Sequence, residues 1–540
     1  MIILGLTHPY GWNTAAALIR DGKLVAFAEE ERFTRQKHAP LAFPAKAMAF
    51  ALKEAGITLD QVDRIAIGMD SKWSVILPNF FPWQPLRFAY GKIERTMREI
   101  DRGNRQLPFS VHDPRLTFVN HHRAHVASSL FLSGFEQSNF ISLDGAGGGE
   151  SGMIGYGDGA KLEIYKRITN AGSWGALYER FTKVIGFKPH SHEGKTMGLA
   201  AFGTPHPEII DFVDWSGEIP VINHTKRNRF LRSLKVRDPK DPLTQEQKDL
   251  AATVQDLLER ALLHMTKYLV EKSGSRNLCM AGGVALNCSA NGKLIHSGLI
   301  DNIYVQPASS DAGVALGAAV HEYVRLTGKR PDFVFDHAYF GPSYSDAEIE
   351  KLLKEAKVPY EPVENIAERT AELMSQGKIV GWFQGRMEAG PRALGGRSIV
   401  ADPMIPGIKD KVNAEVKHRE MWRPFAPAMR YEDIAEYVEG PYESPFMILA
   451  FQARKDRVDQ FPAAVHVDNT ARVQGVHKEV NPQYYALIEA FKKKTGRGVI
   501  LNTSFNIAEE PLVCSPQDAL RTYFSSGLDA LAIGSFLLRK

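Results

Sequence analysis

His121 and His125 stand four residues apart in Asn120-His121-His122-Arg123-Ala124-His125-Val126-Ala127-Ser128, and in a helix that spacing puts both imidazoles on one face. Apolar residues from Ala124 through Leu132, stopped at Gly134, predict such a helix. Two imidazoles so placed can bind one transition-metal ion, with further ligands from distant parts of the chain. They can equally cap backbone groups or be solvated at a polar helix start. Two carboxylates stand where a metal set could be completed. Asp144 ends the apolar run Phe140-Ile141-Ser142-Leu143 and precedes a glycine turn opening at Gly145, where backbone N–H groups can approach an anion. Asp311 sits at the mouth of a small-residue helix that runs on through Gly317, a position that favours negative charge. His121, His125, Asp144 and Asp311 would together make a two-histidine, two-carboxylate site. Such ligands suit iron(II), manganese or zinc.

A second concentration of chemistry lies near the C-terminus. Gly385-Arg386-Met387-Glu388-Ala389-Gly390-Pro391-Arg392-Ala393-Leu394-Gly395-Gly396-Arg397-Ser398 sets three arginines among glycines, and Lys417, Arg419 and Arg423 follow. Asn502 and Ser504 add an amide and a hydroxyl after a strand. Arginine forks match phosphate oxygens two at a time, so this set predicts a site for a highly phosphorylated ligand. A surface salt-bridge net would not call for glycines between the arginines. Lys195, in Glu193-Gly194-Lys195-Thr196-Met197-Gly198, opens another small-residue helix and can hold a phosphate, although the spacing is not that of a Walker loop. Gly282 and Gly283, closing the strand Leu278-Cys279-Met280-Ala281 ahead of Asn287, would let an adenosine lie against backbone.

The elements that must position these groups repeat. Ile2 to Leu6 reads as a strand, followed by a hairpin of Ala15 to Ile19 and Lys23 to Glu29 closed by Asp21-Gly22. Asn139 to Leu143 is again a strand, followed by Gly152 to Tyr156 and Lys161 to Tyr165 across Asp158-Gly159. Two such units predict an α/β fold: a duplicated actin-like ATPase domain with a nucleotide cleft between its halves. The charged run Glu29 to His38 is either a solvated face or a cluster that orients phosphate or acceptor beside the cleft. Trp73 to Phe88 is rich in rings and prolines and precedes a basic helix from about Lys92 to Arg102. It is an acceptor-binding flap, a subunit contact of a homodimer, or an ordinary packed loop. Residues 205–243 read as an irregular excursion. Thr244 to Gln247 is a capping box for a core helix reaching about Glu271, and Ser345 to Glu348 caps another after an irregular boundary from Lys329 to Pro342. The domains are therefore expected at 1–340 and 341–540.

A chain of 540 residues exceeds one ordinary core. Its formal net charge of +4 gives no reason to expect nucleic acid. Three cysteines, Cys279, Cys288 and Cys514, fit a reducing cytoplasm, and neither a signal peptide nor a membrane span is expected.

The sequence resembles the NodU/CmcH-type O-carbamoyltransferases from end to end. The blocks that carry this are Ala28-Glu29-Glu30-Glu31-Arg32-Phe33-Thr34-Arg35, the His121/His125 pair, Gly194-Lys195-Thr196-Met197-Gly198-Leu199-Ala200-Ala201, Ala281-Gly282-Gly283-Val284-Ala285-Leu286-Asn287, Gly390-Pro391-Arg392-Ala393-Leu394-Gly395, Trp422-Arg423-Pro424-Phe425-Ala426-Pro427 and Leu501-Asn502-Thr503-Ser504-Phe505-Asn506. The resemblance implies a Kae/TsaD-like domain of the actin-like (ASKHA) superfamily followed by a YrdC-like α/β domain. It implies that the YrdC-like site makes carbamoyl adenylate and pyrophosphate from carbamoyl phosphate and ATP, with magnesium, held by Arg386, Arg392, Arg397, Lys417, Arg419, Arg423, Asn502 and Ser504. The carbamoyl group would then pass to a hydroxyl of a small metabolite at iron(II) held by His121, His125, Asp144 and Asp311, with Gly145, Lys195, Gly282, Gly283 and Asn287 around the nucleotide. Many relatives carry a histidine where this chain has Trp12, which leaves His8 as the candidate general base. Two competing readings are a threonylcarbamoyl-type transferase acting on tRNA, which would show steep salt dependence, and a non-catalytic nucleotide-binding protein.

Overall fold

The computed structural model describes residues 1–8, 11–40, 42–69, 109, 113–206 and 211–540. The ring-rich stretch Trp73 to Phe88 and the basic stretch Lys92 to Arg102 lie outside them. The first sheet comprises β1 (Ile2–Thr7), β2 (Ala15–Arg20), β3 (Lys23–Glu29), β4 (Arg64–Gly68) and β5 (Leu116–Phe118), in the order β3-β2-β1-β4-β5. The first three form an antiparallel meander, and β4 and β5 are added parallel. Asp21 and Gly22, with φ of 49° and 77°, make the two-residue turn that an Asp-Gly pair favours.

The second sheet repeats this plan. β6 (Gln137–Gly147), β7 (Glu150–Asp158) and β8 (Lys161–Thr169) form its meander. After a short ribbon of β9 (Val213–Asp214) and β10 (Val221–Ile222), the parallel strands β11 (Asn277–Ala281) and β12 (Asn302–Val305) complete it. Its order, β12-β11-β6-β7-β8, is that of the first sheet read from the opposite edge. The duplicated actin-like plan is thus present in both strand order and direction. One turn differs from expectation. Asp158 pairs with Lys161, so the turn is Gly159-Ala160 with Gly159 left-handed at φ 54°. A turn with positive φ only at its first central position takes glycine there and leaves the aspartate in the strand.

Two helices are exchanged between the halves. Helix His121–Leu130 packs on β6, β7 and β11, whereas helix Asp311–Thr327 packs on β1, β2 and β4. They touch at Gly317, where a Cβ would lie 1.8 Å from the Ala124 carbonyl oxygen. Only glycine permits that approach, and it draws the two helix starts toward one cleft. The excursion 205–243 contains a helix, His224–Ser233, capped by Asn223. Its strongly basic sequence hides it, because Phe230 and Leu231 are too few to form an apolar stripe. The core helix runs Gln245–Ser273, from the Thr244 capping box to left-handed Gly274.

The C-terminal region adds β13 (Glu361–Pro362), β14 (Val380–Phe383), β15 (Arg397–Ala401), β16 (Ala426–Arg430), a ribbon of β17 (Phe451–Gln452) and β18 (Thr470–Ala471), then β19 (Gln474–Val476), β20 (Val499–Ser504), β21 (Ala530–Ile533) and β22 (Phe536–Arg539). All but the ribbon form one mixed sheet, β13-β22-β21-β14-β15-β20-β16-β19. The main apolar core continues from the first two sheets into Ala426, Met429 and Phe451. Head and tail therefore share an interior, which is what fixes the cleft between them.

Candidate active site

Asn120 starts the histidine helix, its side chain accepting from the backbone N–H of Arg123 at 3.0 Å. That cap aims the first turn at Asp144, and the exchanged helix delivers Asp311 from the other half. Asp144 stands within β6, because the strand runs on through Gly145 to Gly147 and turns only at Gly148-Gly149. One donor atom from each of His121, His125, Asp144 and Asp311 lies within 4.8 Å of the other three. His125 Nε2 is 3.1 Å from His121 Nε2 and 3.2 Å from Asp144 Oδ2; Asp311 Oδ1 is 3.7 Å from His121 Nε2. Two ring nitrogens so close share at most one proton, so at least one lone pair points into the cluster. Asp144 Oδ2 is buried and touches the imidazoles without the alignment of a hydrogen bond. Burial pushes the Asp311 carboxyl up to about 7, with Asp144 adding to the push and His121 opposing it. Asp144 is held well below the usual range because the two imidazoles outweigh its burial. Converging nitrogens, an orphaned carboxylate oxygen and two acids fit a divalent cation.

The cluster opens into a cavity of about 1370 Å³ that runs on to the C-terminal sheet. Pockets for single small ligands occupy roughly 300–1,000 Å³, so this one has room for more than one. Its far end is cationic: Arg392, Lys417, Arg419, Arg423 and Arg472 line it, with Lys37 from the head region. Burial, and then the other cations, hold Lys417 and Arg419 well below their usual ranges; Arg392, Arg423, Arg472 and Lys37 are depressed by burial in the same sense. A guanidinium does not release its proton under ordinary conditions, so this crowding is relieved by binding an anion. Lys417 Nζ is fixed by the Ser504 carbonyl at 2.7 Å, its hydroxyl at 3.0 Å and the Asn506 carbonyl at 3.0 Å. Arg419 leans on the Phe425 ring, 4.6 Å from its centre, and donates to Asn413.

Comparison with known proteins shows the family. The carbamoyltransferase N-terminus family model matches residues 2–75 and 105–320, and the carbamoyltransferase C-terminus model matches 371–540. The chain belongs to the carbamoyltransferase family. Within it, the chain is 38% identical to nodulation protein NolNO of Sinorhizobium fredii over 99% of its own length and 80% of that protein. It is 27% identical to the 3'-hydroxymethylcephem-O-carbamoyltransferase of Amycolatopsis lactamdurans, over 97% of each. These place it with the NodU/CmcH-type transferases and make it a transferase enzyme. HypF of T. kodakarensis aligns with 61% of this chain and 48% of its own at a TM-score of 0.37 and 15% identity; at that score the fold rests on the sheets themselves.

In this carbamoyltransferase, not every residue expected at the site reaches it. Arg397 is fully buried under the Phe383 ring and donates to the carbonyls of Gln384, Gly385, Gly396 and Pro342. Arg386 donates to the carbonyls of Gly341 and Phe340 and pairs with Glu54. Neither is on the cavity wall, and both brace the loop that carries Arg392. Gly282, left-handed at φ 87°, is pressed on the Leu143 backbone, whereas Gly283 and Gly145 do line the cavity. Asn287 lines it too, but its amide is spent on Gln255 and on capping Ala290. Asn502 donates to Ala393 and Gln474 and keeps its oxygen without a partner. Lys195 pairs with Glu420 at 2.7 Å across the head–tail seam. His8 is not on the wall; it lies beside His121, and burial followed by that neighbour pushes it down to about 4.

The charged run is not a solvated face. Glu29, Glu30, Glu31 and Arg32 are all buried. Glu29 Oε1 accepts the Gly390 N–H at 2.7 Å while Arg32 Nη2 donates to the Gly390 carbonyl at 2.7 Å. One ion pair from the head thus grips both backbone groups of a residue two positions before Arg392. Lys37 belongs to the charged run already read as a cluster beside the cleft, whereas residues that the sequence did not single out include Arg472, Glu420, Glu179 and His190. Only Arg472 carried a local signal, a lone arginine between apolar Ala471 and Val473 in a segment with strand character.

Proposed function

We propose that this enzyme is an ATP-dependent O-carbamoyltransferase that makes carbamoyl adenylate at the cationic end of the cavity and transfers the carbamoyl group to a hydroxyl of a small metabolite at the four-donor end. The observation that carries the reading is that one cavity holds both ends. In the first step water takes the phosphoryl group of carbamoyl phosphate as inorganic phosphate, and the oxygen of the carbamate left behind attacks the α-phosphorus of magnesium ATP with loss of pyrophosphate. Arg392, Lys417, Arg419 and Arg423, with Arg472, neutralise the phosphates and hold the reacting oxygens in line. Asn502 offers its unpartnered oxygen, and Ser504 keeps Lys417 in place. Gly145, Gly283 and Lys195 border the adenylate, Lys195 exchanging Glu420 for a phosphate oxygen. Residues 1–340 act in this scheme as the metal- and nucleotide-binding domain and 341–540 as the YrdC-like adenylate-forming domain.

Iron(II) held by His121, His125, Asp144 and Asp311 would supply Lewis-acid polarisation of a carbamoyl oxygen when bound, and manganese or zinc suits the same donors. The name of the cephem relative describes carbamoylation of a hydroxymethyl oxygen, the reaction class proposed here. Among the described residues no helix is long and apolar enough to cross a membrane.

The test is a pyrophosphate assay with single omissions, followed by mass spectrometry of candidate alcohols incubated with labelled carbamoyl phosphate. Pyrophosphate should appear only when carbamoyl phosphate and ATP are both present, and label should end on oxygen. Pyrophosphate released from ATP alone would defeat the adenylate step, and stimulation by tRNA would transfer the reading to the threonylcarbamoyl class.

A further inference from the structure

Carbamoylation of a hydroxyl requires a group that takes its proton, and besides His8, which stands behind the cluster next to His121, the cavity wall itself offers candidates. Two other side chains on that wall are arranged as a proton-accepting pair. Glu179 lies in helix Trp174–Val184, whose start is fastened to the cluster strand. Ser173 Oγ reaches the carbonyls of Asp144 at 3.0 Å and Gly145 at 2.7 Å, and a Cβ on Gly175 would meet the Asp144 carbonyl carbon at 2.6 Å. Glu179 therefore stands against Gly145, where a Cβ would fall 2.7 Å from its Oε1.

His190 completes the pair. Its Nδ1 is 3.0 Å from Glu179 Oε1. Its backbone is left-handed at φ 61°, and its N–H donates to Glu193 at 2.7 Å. Its ring stacks on Trp12 with centres 5.8 Å apart and planes 19° from parallel, and the Trp12 backbone hydrogen-bonds Asp311. His190, Glu179 and Trp12 line the cavity together with Asp144 and Asp311. A non-glycine residue held at positive φ, with its ring fixed by both a carboxylate and an aromatic face, is positioned by its surroundings. A histidine bonded through Nδ1 to a carboxylate presents Nε2 as the acceptor.

We propose that His190 accepts the proton of the acceptor hydroxyl and that Glu179 is the positioning residue that fixes its ring. This rests on the O-carbamoyltransferase reading above. The hydroxyl oxygen bonds to the carbamoyl carbon as its proton passes to His190 Nε2. The bond from that carbon to the adenylate oxygen breaks with its electron pair, AMP leaves, and His190 returns the proton to water.

Hydroxylamine separates this role from a structural one, because its neutral nitrogen attacks before any proton is lost. Wild-type protein loaded with iron(II) is given ATP, labelled carbamoyl phosphate and either glycerol or hydroxylamine. Carbamoyl glycerol, hydroxyurea, pyrophosphate and bound iron are then measured. His190→Ala should lower carbamoyl glycerol by roughly 100-fold or more while hydroxyurea, pyrophosphate and iron stay near wild-type levels. Glu179→Gln should show the same split to a smaller degree. Equal loss of both products in His190→Ala, or undiminished carbamoyl glycerol, would overturn the assignment. Wild-type protein that makes no pyrophosphate would instead overturn the adenylate reading and is told apart by that assay alone.

Discussion

The two ends of the cavity are opposite in charge and in what they lack. At the head end, two carboxylates and two imidazoles converge with lone pairs inward, an arrangement completed by a cation. At the tail end, six cations line the wall with few carboxylates to answer them, Glu420 and Glu509 among those few, an arrangement completed by anions. Neither set serves local stability, since converging lone pairs repel one another and buried like charges do the same. On the function proposed above, placing both on one wall would let a phosphorylated, activated group be made where cations gather and used where a Lewis acid can sit.

The largest expected effect separates the ends outright. Arg392→Ala should lower pyrophosphate formation by about 10³-fold with bound metal unchanged. His125→Ala should lose the metal and the transfer while still releasing pyrophosphate, as read by metal analysis beside the same assay. Equal loss of both half-reactions in both variants would remove the division of labour. Next comes the clasp that ties the ends together. Glu29→Ala leaves buried Arg32 with Glu31 as its one carboxylate partner and the Gly390 N–H without its acceptor, so it should cost roughly 3 kcal/mol by urea unfolding and impair pyrophosphate formation more than metal binding.

Anion binding gives a somewhat smaller signal. Pyrophosphate at one hundred times its Kd should stabilise the protein by about 2.7 kcal/mol. Arg423→Ala should shrink that gain and a chelator should not, a contrast that calorimetry would show. The smallest effect concerns the diverted arginines. Arg386→Ala, at a partly exposed pair, should change stability by no more than about 1 kcal/mol and leave pyrophosphate formation nearly intact. A large catalytic loss there would mean that the loop carrying Arg392 depends on this brace.

How much of this could be read from the chain depended on whether the cause was local. The helix at His121, the Asp21-Gly22 turn, the capping boxes at Thr244 and Ser345 and the exit strand before Asp144 each follow from residues within one or two turns of each other. Their short range made them legible, as did the repeated strand and hairpin plan of the two halves. The charged run from Glu29 remained ambiguous because its meaning depends on Gly390, some 360 positions away, as the span of that hydrogen bond shows.

Sequence by itself determined which groups were available: paired imidazoles, two aspartates at the ends of elements, and a surplus of arginines among glycines. Tertiary structure decided which of them share a cavity. It turned Arg397 onto backbone carbonyls and Arg386 into a brace, brought in Arg472, joined Lys37 to the cationic end, put His8 beside His121 and set His190 on the wall. The physical reason is that an arginine or histidine has reach and several donors, so its direction is chosen by whichever acceptor the fold brings near. The exchanged helices bring Asp144 and Asp311 together only when both halves have closed.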